Sequence, residues 1–249
     1  MSPHRLLLGC WTLCVASAPL AAEALRFESP AQRVTVVELF TSHGCNSCPP
    51  ADAWLRRFTE DPALWQRVIP LAFHVDYWDY LGWQDRFAAP AYSQRQRDYR
   101  HSGGLGSVYT PGVLVNGKEW RGWYHGDDLP AADAKPVGRL TLEVEPERSA
   151  VLELSPDAGL AGEGLQANLA ILGIGMTSRI GGGENSGRSL GEDFVVLGES
   201  TASHPDRPNT WHLEWPHLRQ HDGARYAVVA WLSRGGDPTP LQATGGWLP

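Results

Sequence analysis

The chain has 249 residues, enough for one or two domains and a substantial core. Hydrophobic residues make up 42% and charged residues 20%, the balance of a globular rather than a disordered protein. The net charge is −7 and no basic tract occurs, which argues against a nucleic-acid partner, and no apolar run reaches the ~18 residues of a membrane span.

The first signal along the chain is at the N-terminus. Met1–Arg5 is a short positive start, Leu6 to Leu20 is mostly apolar, and small residues follow at Ala21, Ala22 and Ala24. This is the anatomy of a secretory signal peptide over residues 1–24, with cleavage expected after Ala22 or Ala24. Cys10 and Cys14 leave with it, so the mature chain keeps Cys45 and Cys48. An exported chain meets an oxidising compartment, where structural disulfides are common. A bridge across three positions closes a tiny loop and stabilises little in the chain-entropy model, which points to chemistry rather than scaffolding.

Arg33 to Phe40 is a short apolar run rich in β-branched residues and reads as a buried strand. Thr41 to Gly44 forms a turn. Pro49-Pro50 suits the first turn of a helix, and Ala51, Trp54, Leu55 and Phe58 continue at helical spacing. The two cysteines therefore fall at a strand-to-helix junction. Val68 to Val75 is a second strand, followed by the aromatic stretch Tyr77 to Trp83. Gln84 to His101 is a polar helix interrupted at Pro90 and ended by Gly103-Gly104. Val113–Val115 is a strand, Asn116-Gly117 a tight hairpin turn, and the partner strand is expected to begin at Trp120. From about Lys135, short apolar or alternating runs separated by turn residues indicate a β-rich unit, most simply a small sandwich. These runs are 139–144, 151–154, 165–172, 194–197, 211–215 and 225–232. The expected organisation is thus residues 25–135 as an α/β domain and 136–249 as a β-rich domain.

A Cys-x-x-Cys at a strand-to-helix junction is a redox-site pattern. Free N–H groups and the helix dipole favour an anion there, so a thiolate is stabilised and becomes the attacking form. Cys45, at the helix start and nearer solvent, would be the nucleophile, and Cys48 would resolve the mixed disulfide. A structural or metal-binding pair is the alternative. His43 can lower the thiol pKa as a cation, bind a metal as a neutral ring, or be a solvated turn residue. His74 and Asp76 alternate at a strand end, where they can assist proton transfer, complete a metal site or serve as hydrogen-bonded structure. Tyr77 and Trp78 can line a groove for an unfolded peptide or cap the sheet. Gly181 to Arg188 lacks the Gly-Lys-Ser/Thr ending of a phosphate loop and reads as a long loop.

The chain resembles thioredoxin-fold proteins. Val37-Glu38-Leu39-Phe40 followed by Cys45-x-x-Cys48-Pro49 resembles the first central strand and active-site helix of that fold. Thr110-Pro111, an apolar strand and Asn116-Gly117 resemble its cis-proline loop and hairpin. Glu38 to Ser42, Cys45 to Asp52, His74 to Trp83, Tyr109-Thr110-Pro111 and Glu184 to Arg188 are similar to the exported bacterial family catalogued as domain of unknown function 1223. The resemblance implies an α/β thioredoxin-like domain and a location in the bacterial periplasm or outside the cell. It makes Pro111 a cis-proline facing the cysteines, with Thr110 in the loop that meets a substrate chain. It puts Glu38 in the place of the buried acid that takes a proton from the resolving cysteine, with one extra residue before Cys45; the alternative is a Glu bound to backbone or Arg at the strand end. The Asn46-Ser47 dipeptide departs from thioredoxin's Gly-Pro.

The functional expectation is an exported thiol–disulfide oxidoreductase acting on thiol- or disulfide-containing proteins or peptides. It would work with a further redox partner and with no cofactor beyond the Cys45–Cys48 couple. The alternatives are an envelope metallochaperone holding a soft ion such as Cu(I) through Cys45, Cys48, His43 and His74, and an inert adaptor using its aromatic surface.

Overall fold

The structure, a computed structural model, describes residues 24–131, 136–145, 149–155, 160, 164–218 and 223–249. The expected signal segment lies, apart from Ala24, outside the described residues. Among the described residues, fourteen strands and two α-helices follow in order. β1 (Leu25–Glu28) and β2 (Thr35–Thr41) precede α1 (Pro49–Arg56), β3 (Val68–His74) and α2 (Pro90–His101). β4 (Gly112–Val115), β5 (Lys118–Glu119), β6 (Leu140–Glu145), β7 (Ser149–Leu154), β8 (Leu165–Ile174) and β9 (Met176–Arg179) come next. The chain ends with β10 (Ser189–Glu192), β11 (Val195–Ala202), β12 (Thr210–Glu214), β13 (Arg225–Arg234) and β14 (Asp237–Trp247).

The described residues are mostly β-sheet, in several sheets. The largest has the order β14-β13-β8-β11-β3-β2-β4-β5, so strands from both sides of residue 135 share one sheet. At its centre β2 and β3 run parallel, joined by a crossover through α1, and β4 pairs antiparallel with β2. Every residue of β2 and β3 is buried, which explains their continuous apolar character. Pro70 is tolerated in β3 because β11 joins that strand only at Ala72, so no ladder bond is lost at Pro70 on that side. Phe40 of β2 and Phe73 of β3 meet Tyr99 and Tyr92, which places α2 on one face of the sheet.

A second sheet, β1-β6-β7-β12, draws β1 from before residue 135 and packs on the large sheet as one layer of a sandwich. Leu140, Leu142, Leu152 and Trp211 pack there with Leu169, Val228 and Ala230 of the large sheet. The other layer of that sandwich is therefore the sheet that carries the cysteine motif. A hairpin of β9 and β10 stands apart and leads directly into β11.

Two local expectations are corrected. The helix expected over Gln84–His101 begins only at Pro90, which takes its first turn. The preceding residues are held as a turn because the Asp85 carboxylate accepts the N–H groups of His43 and Phe87. The hairpin partner begins at Lys118 rather than Trp120, because the two-residue turn sets Lys118 directly opposite Val115. Asn116 and Gly117 both have positive φ, 51° and 79°, as the two-residue hairpin turn requires.

Candidate functional site

Cys48 is the residue at which α1 starts, and Pro49 and Pro50 occupy its first turn, where missing N–H groups leave nothing unpaired. Cys45 and Cys48 are joined by a disulfide, with Cα atoms 5.5 Å apart. The Ser47 hydroxyl lies 3.3 Å from Cys45 Sγ. Asn46 and Ser47 are exposed, but Cys45 is only 1% exposed and Cys48 is fully buried. Both cysteines are therefore covered, and the expected difference between them in exposure is reduced to one per cent.

The cover comes from the loop between β9 and β10. Asn185, fully buried, donates through Nδ2 to the carbonyls of His43 (2.9 Å) and Cys45 (2.8 Å). Arg188 holds Asn185 in turn through its Oδ1 at 2.6 Å. The Asn46 N–H donates to Glu184 Oε2 at 2.9 Å, and the Glu184 N–H donates to Gly44 O at 3.2 Å. The contact requires glycine: a Cβ on Gly183, at φ +69°, would lie 3.1 Å from Gly44 Cα, and one on Gly182 would lie 2.7 Å from Gly82 O.

Beneath the motif lies a buried polar cluster. His43 Nε2 pairs with Glu192 Oε1 at 3.0 Å and His43 Nδ1 with Asp85 Oδ1 at 3.1 Å. His74 Nδ1 meets Asp85 Oδ2 at 2.8 Å. Burial opposes a charged His74, but the Asp85 carboxylate overrides it and the His74 pKa is pushed up to about 9. Burial likewise opposes the Asp85 anion, yet His74 and His43 hold its pKa well below the usual carboxylate range. His74 Nε2 and Glu192 Oε2 are buried without a hydrogen-bond partner among the described residues. The ligand atoms of His43, His74 and Asp85 lie within 4.8 Å of one another, close enough for a metal ion. The Asp85 oxygens are already engaged by the two rings and by the His43 and Phe87 N–H groups, so an ion would have to displace these contacts.

Asp52 sits one helical turn after Cys48, and its N–H donates to Cys48 O at 3.1 Å. Its carboxyl faces Thr41 and His74. Burial pushes its pKa up to about 7, with His74 and Thr41 pulling down and Glu192 and Asp85 pushing further up.

Glu38 is placed elsewhere. It shares the strand face of Phe40, since alternate side chains of β2 share a face. Arg95 binds its carboxylate at 2.7 Å and the Tyr99 hydroxyl donates to it, both from α2. Thr41 and Asp52 lie on the opposite face of that strand. Asp52 is thus the acid one helical turn after Cys48, and the position assigned to Glu38 by resemblance belongs to a buried ion pair.

The Thr110–Pro111 bond is cis. Trp78 ties this loop to the motif: its Nε1 donates to Thr110 Oγ1 at 2.8 Å, and its Cβ would lie 2.9 Å from a Cβ on Gly44. The Tyr77 hydroxyl donates to Gln96, whose amide donates to Tyr109 O. Burial pushes the Tyr77 pKa up to about 12, so the hydroxyl stays a donor. Tyr77 and Trp78 are thus braces of the cis-proline loop. Of the alternative metal set, His43 and His74 meet, with ring centroids 5.1 Å apart, and the cysteines bond to each other. Asp76 is turned to α2, where the Ser93 hydroxyl donates to it.

A sequence profile described as a protein of unknown function (DUF1223) matches residues 36–232. The chain belongs to the DUF1223 family. No curated protein matches it. A crystal structure of an Agrobacterium tumefaciens protein is similar, with 24% identity, a TM-score of 0.56 and coverage of 86% of this chain and 94% of that one. HBP35 of Porphyromonas gingivalis is also similar, with 15% identity, a TM-score of 0.53 and coverage of 87% and 76%. At these identities the likeness concerns the fold.

In this DUF1223 member, sequence reasoning missed Asp52, Asp85 and Glu192 as site residues. Asp52 had a local signal, its i+4 spacing from Cys48. Asp85 and Glu192 had none, because they reach His43 across 42 and 149 residues. An open cleft of about 740 Å³ begins at Ser47 and is walled by Pro50, Trp54, Trp123 and Tyr124. Tyr124 is 58% exposed and stacks on Trp123.

Proposed function

We propose that this protein is an exported thioredoxin-like thiol–disulfide oxidoreductase, working in the bacterial periplasm or outside the cell. The observation that carries the reading is the Cys45–Cys48 disulfide at the N-terminus of α1, with the cis Thr110–Pro111 loop braced to the same turn by Trp78. The order β2-α1-β3-α2-β4-β5 with β2 central supports the thioredoxin-like comparison. Among the described residues no helix is long and apolar enough to cross a membrane.

In the direction that reduces a substrate, the loop of Glu184 and Asn185 lifts from the motif and the Cys45 thiolate attacks a substrate disulfide. A Cys45–substrate disulfide forms, and the first substrate sulfur leaves as a thiolate that takes a proton from water. Asp52 then accepts the Cys48 proton, and the Cys48 thiolate attacks Cys45 Sγ. The internal disulfide closes and the second substrate sulfur leaves, protonated in turn. The substrate gains two electrons and two protons, and the reverse sequence oxidises a dithiol. A carboxyl with a pKa near 7 is suited to both directions at neutral pH. The cleft starting at Ser47 would seat an apolar or aromatic side chain flanking the substrate cysteine.

A redox titration of the metal-stripped mature chain, with thiol tagging read by mass spectrometry, tests this. A two-electron transition of Cys45/Cys48 is expected between about −270 and −120 mV. Failure to interconvert disulfide and dithiol at any poise would exclude the function.

A further inference from the structure

We infer that Glu184 and Asn185 are positioning residues of the redox couple, which hold Cys45/Cys48 in the disulfide form. This rests on the oxidoreductase reading above and assigns its redox poise to a loop remote in sequence.

Three observations combine. The first is geometric. Asn185 fastens the carbonyls on both sides of Gly44, those of His43 and Cys45, and it is itself fully buried and held by Arg188. Such a doubly donating amide fixes the backbone of the turn in the shape that brings the sulfurs together. The second is steric. Gly183 meets Gly44 and Gly181 meets Trp83 so closely that the loop fits the motif only as it now lies. The third is electrostatic. The Glu184 carboxylate occupies the Asn46 N–H, the amide directly after Cys45. Reduction adds two electrons and two protons and frees Cys45 as a thiol in equilibrium with its thiolate. That thiolate would form beside a carboxylate and compete with it for the donors of the helix start. The disulfide carries no charge and meets no such opposition. The loop therefore favours the oxidised form and lowers the reduction potential. Strongly oxidising couples of this chemistry have the opposite arrangement, with a stabilised reduced form.

The experiment is equilibration of the full mature chain with reduced and oxidised glutathione at pH 8. Two glutathione thiols reduce one Cys45–Cys48 disulfide and leave as glutathione disulfide. Glu184→Gln keeps the size and a weaker hydrogen bond but removes the charge. It should favour the dithiol about tenfold, a rise of roughly 30 mV for two electrons. Gly183→Ala, which lifts the loop off Gly44, should shift the equilibrium the same way. A wild-type transition that both variants leave unmoved overturns this inference and spares the oxidoreductase reading. Absence of any transition in the wild type overturns both. Because Glu184 is exposed, the glutamine variant is expected to fold, and the potential does not move for a residue that stabilises the oxidised and reduced forms equally.

Discussion

Asp52 is the residue whose replacement is most informative. Its pKa lies near 7 in the folded protein against an ordinary value of 3.8, because burial disfavours its anion. The folded state therefore holds a proton that the unfolded state has released between those values. Folding is unpenalised by this group below about pH 4, loses stability as pH rises towards 7, and is penalised fully above that. At 1.36 kcal/mol per pKa unit the ceiling is about 4 kcal/mol, and for a half-buried residue about 2 kcal/mol is the working value. Asp52→Asn removes the penalty. In urea unfolding of the oxidised protein, the variant should match the wild type near pH 4 and exceed it by about 2 kcal/mol at pH 8. The same variant should slow exchange with a peptide disulfide by about a hundredfold and abolish the rate inflection near pH 7, as loss of a general base requires. Parallel stability curves together with an unchanged pH–rate profile would refute both the burial argument and the proton-transfer role.

Two further substitutions separate the neighbouring carboxylates. Asp85→Asn leaves His74 without its counter-charge and should cost about 3–5 kcal/mol in denaturant unfolding. The wild-type contribution is fully present below the unfolded histidine value, about 6.5, and is lost as pH rises through about 9, so the gap between the two proteins should narrow across that window. Glu38→Gln breaks the buried pair with Arg95 and should also destabilise by about 3–5 kcal/mol. Its exchange rate should nevertheless keep the wild-type inflection near pH 7, measured at a temperature where the variant is folded. Loss of that inflection would return the proton-transfer role to Glu38.

The parts of the fold legible in the sequence were those with local signals. β2 and β3 are continuous apolar runs, α1 follows Pro49-Pro50, and Asn116-Gly117 marks its hairpin within two residues. β14 was missed because Pro238, Pro240, Gly245 and Gly246 read against a strand. It is tolerated as the outer strand of the sheet, bonded within it to β13 alone. The cysteine motif and Pro111 stood out by residue type and spacing. The rest of the site did not, since it is assembled by tertiary contacts. Glu184 reaches Asn46 across 138 residues and Asn185 reaches Cys45 across 140. Of the two readings of Glu38, the acid bound to Arg is the one seen, because resemblance assigns a chain position whereas the alternation of β2 decides which face its carboxyl shares.

The single large sheet also fixes an order of events during synthesis. Cys45 and Cys48 emerge well before the loop that seals them and the strand that covers the edge of β3, which arrive only with residues 181–195. Both thiols are therefore open to whatever oxidant meets the nascent chain, and the bond made then is enclosed when the second half docks. The long-range pairing of β11 with β3 acts as a clock: oxidation is easy before it strikes and guarded afterwards.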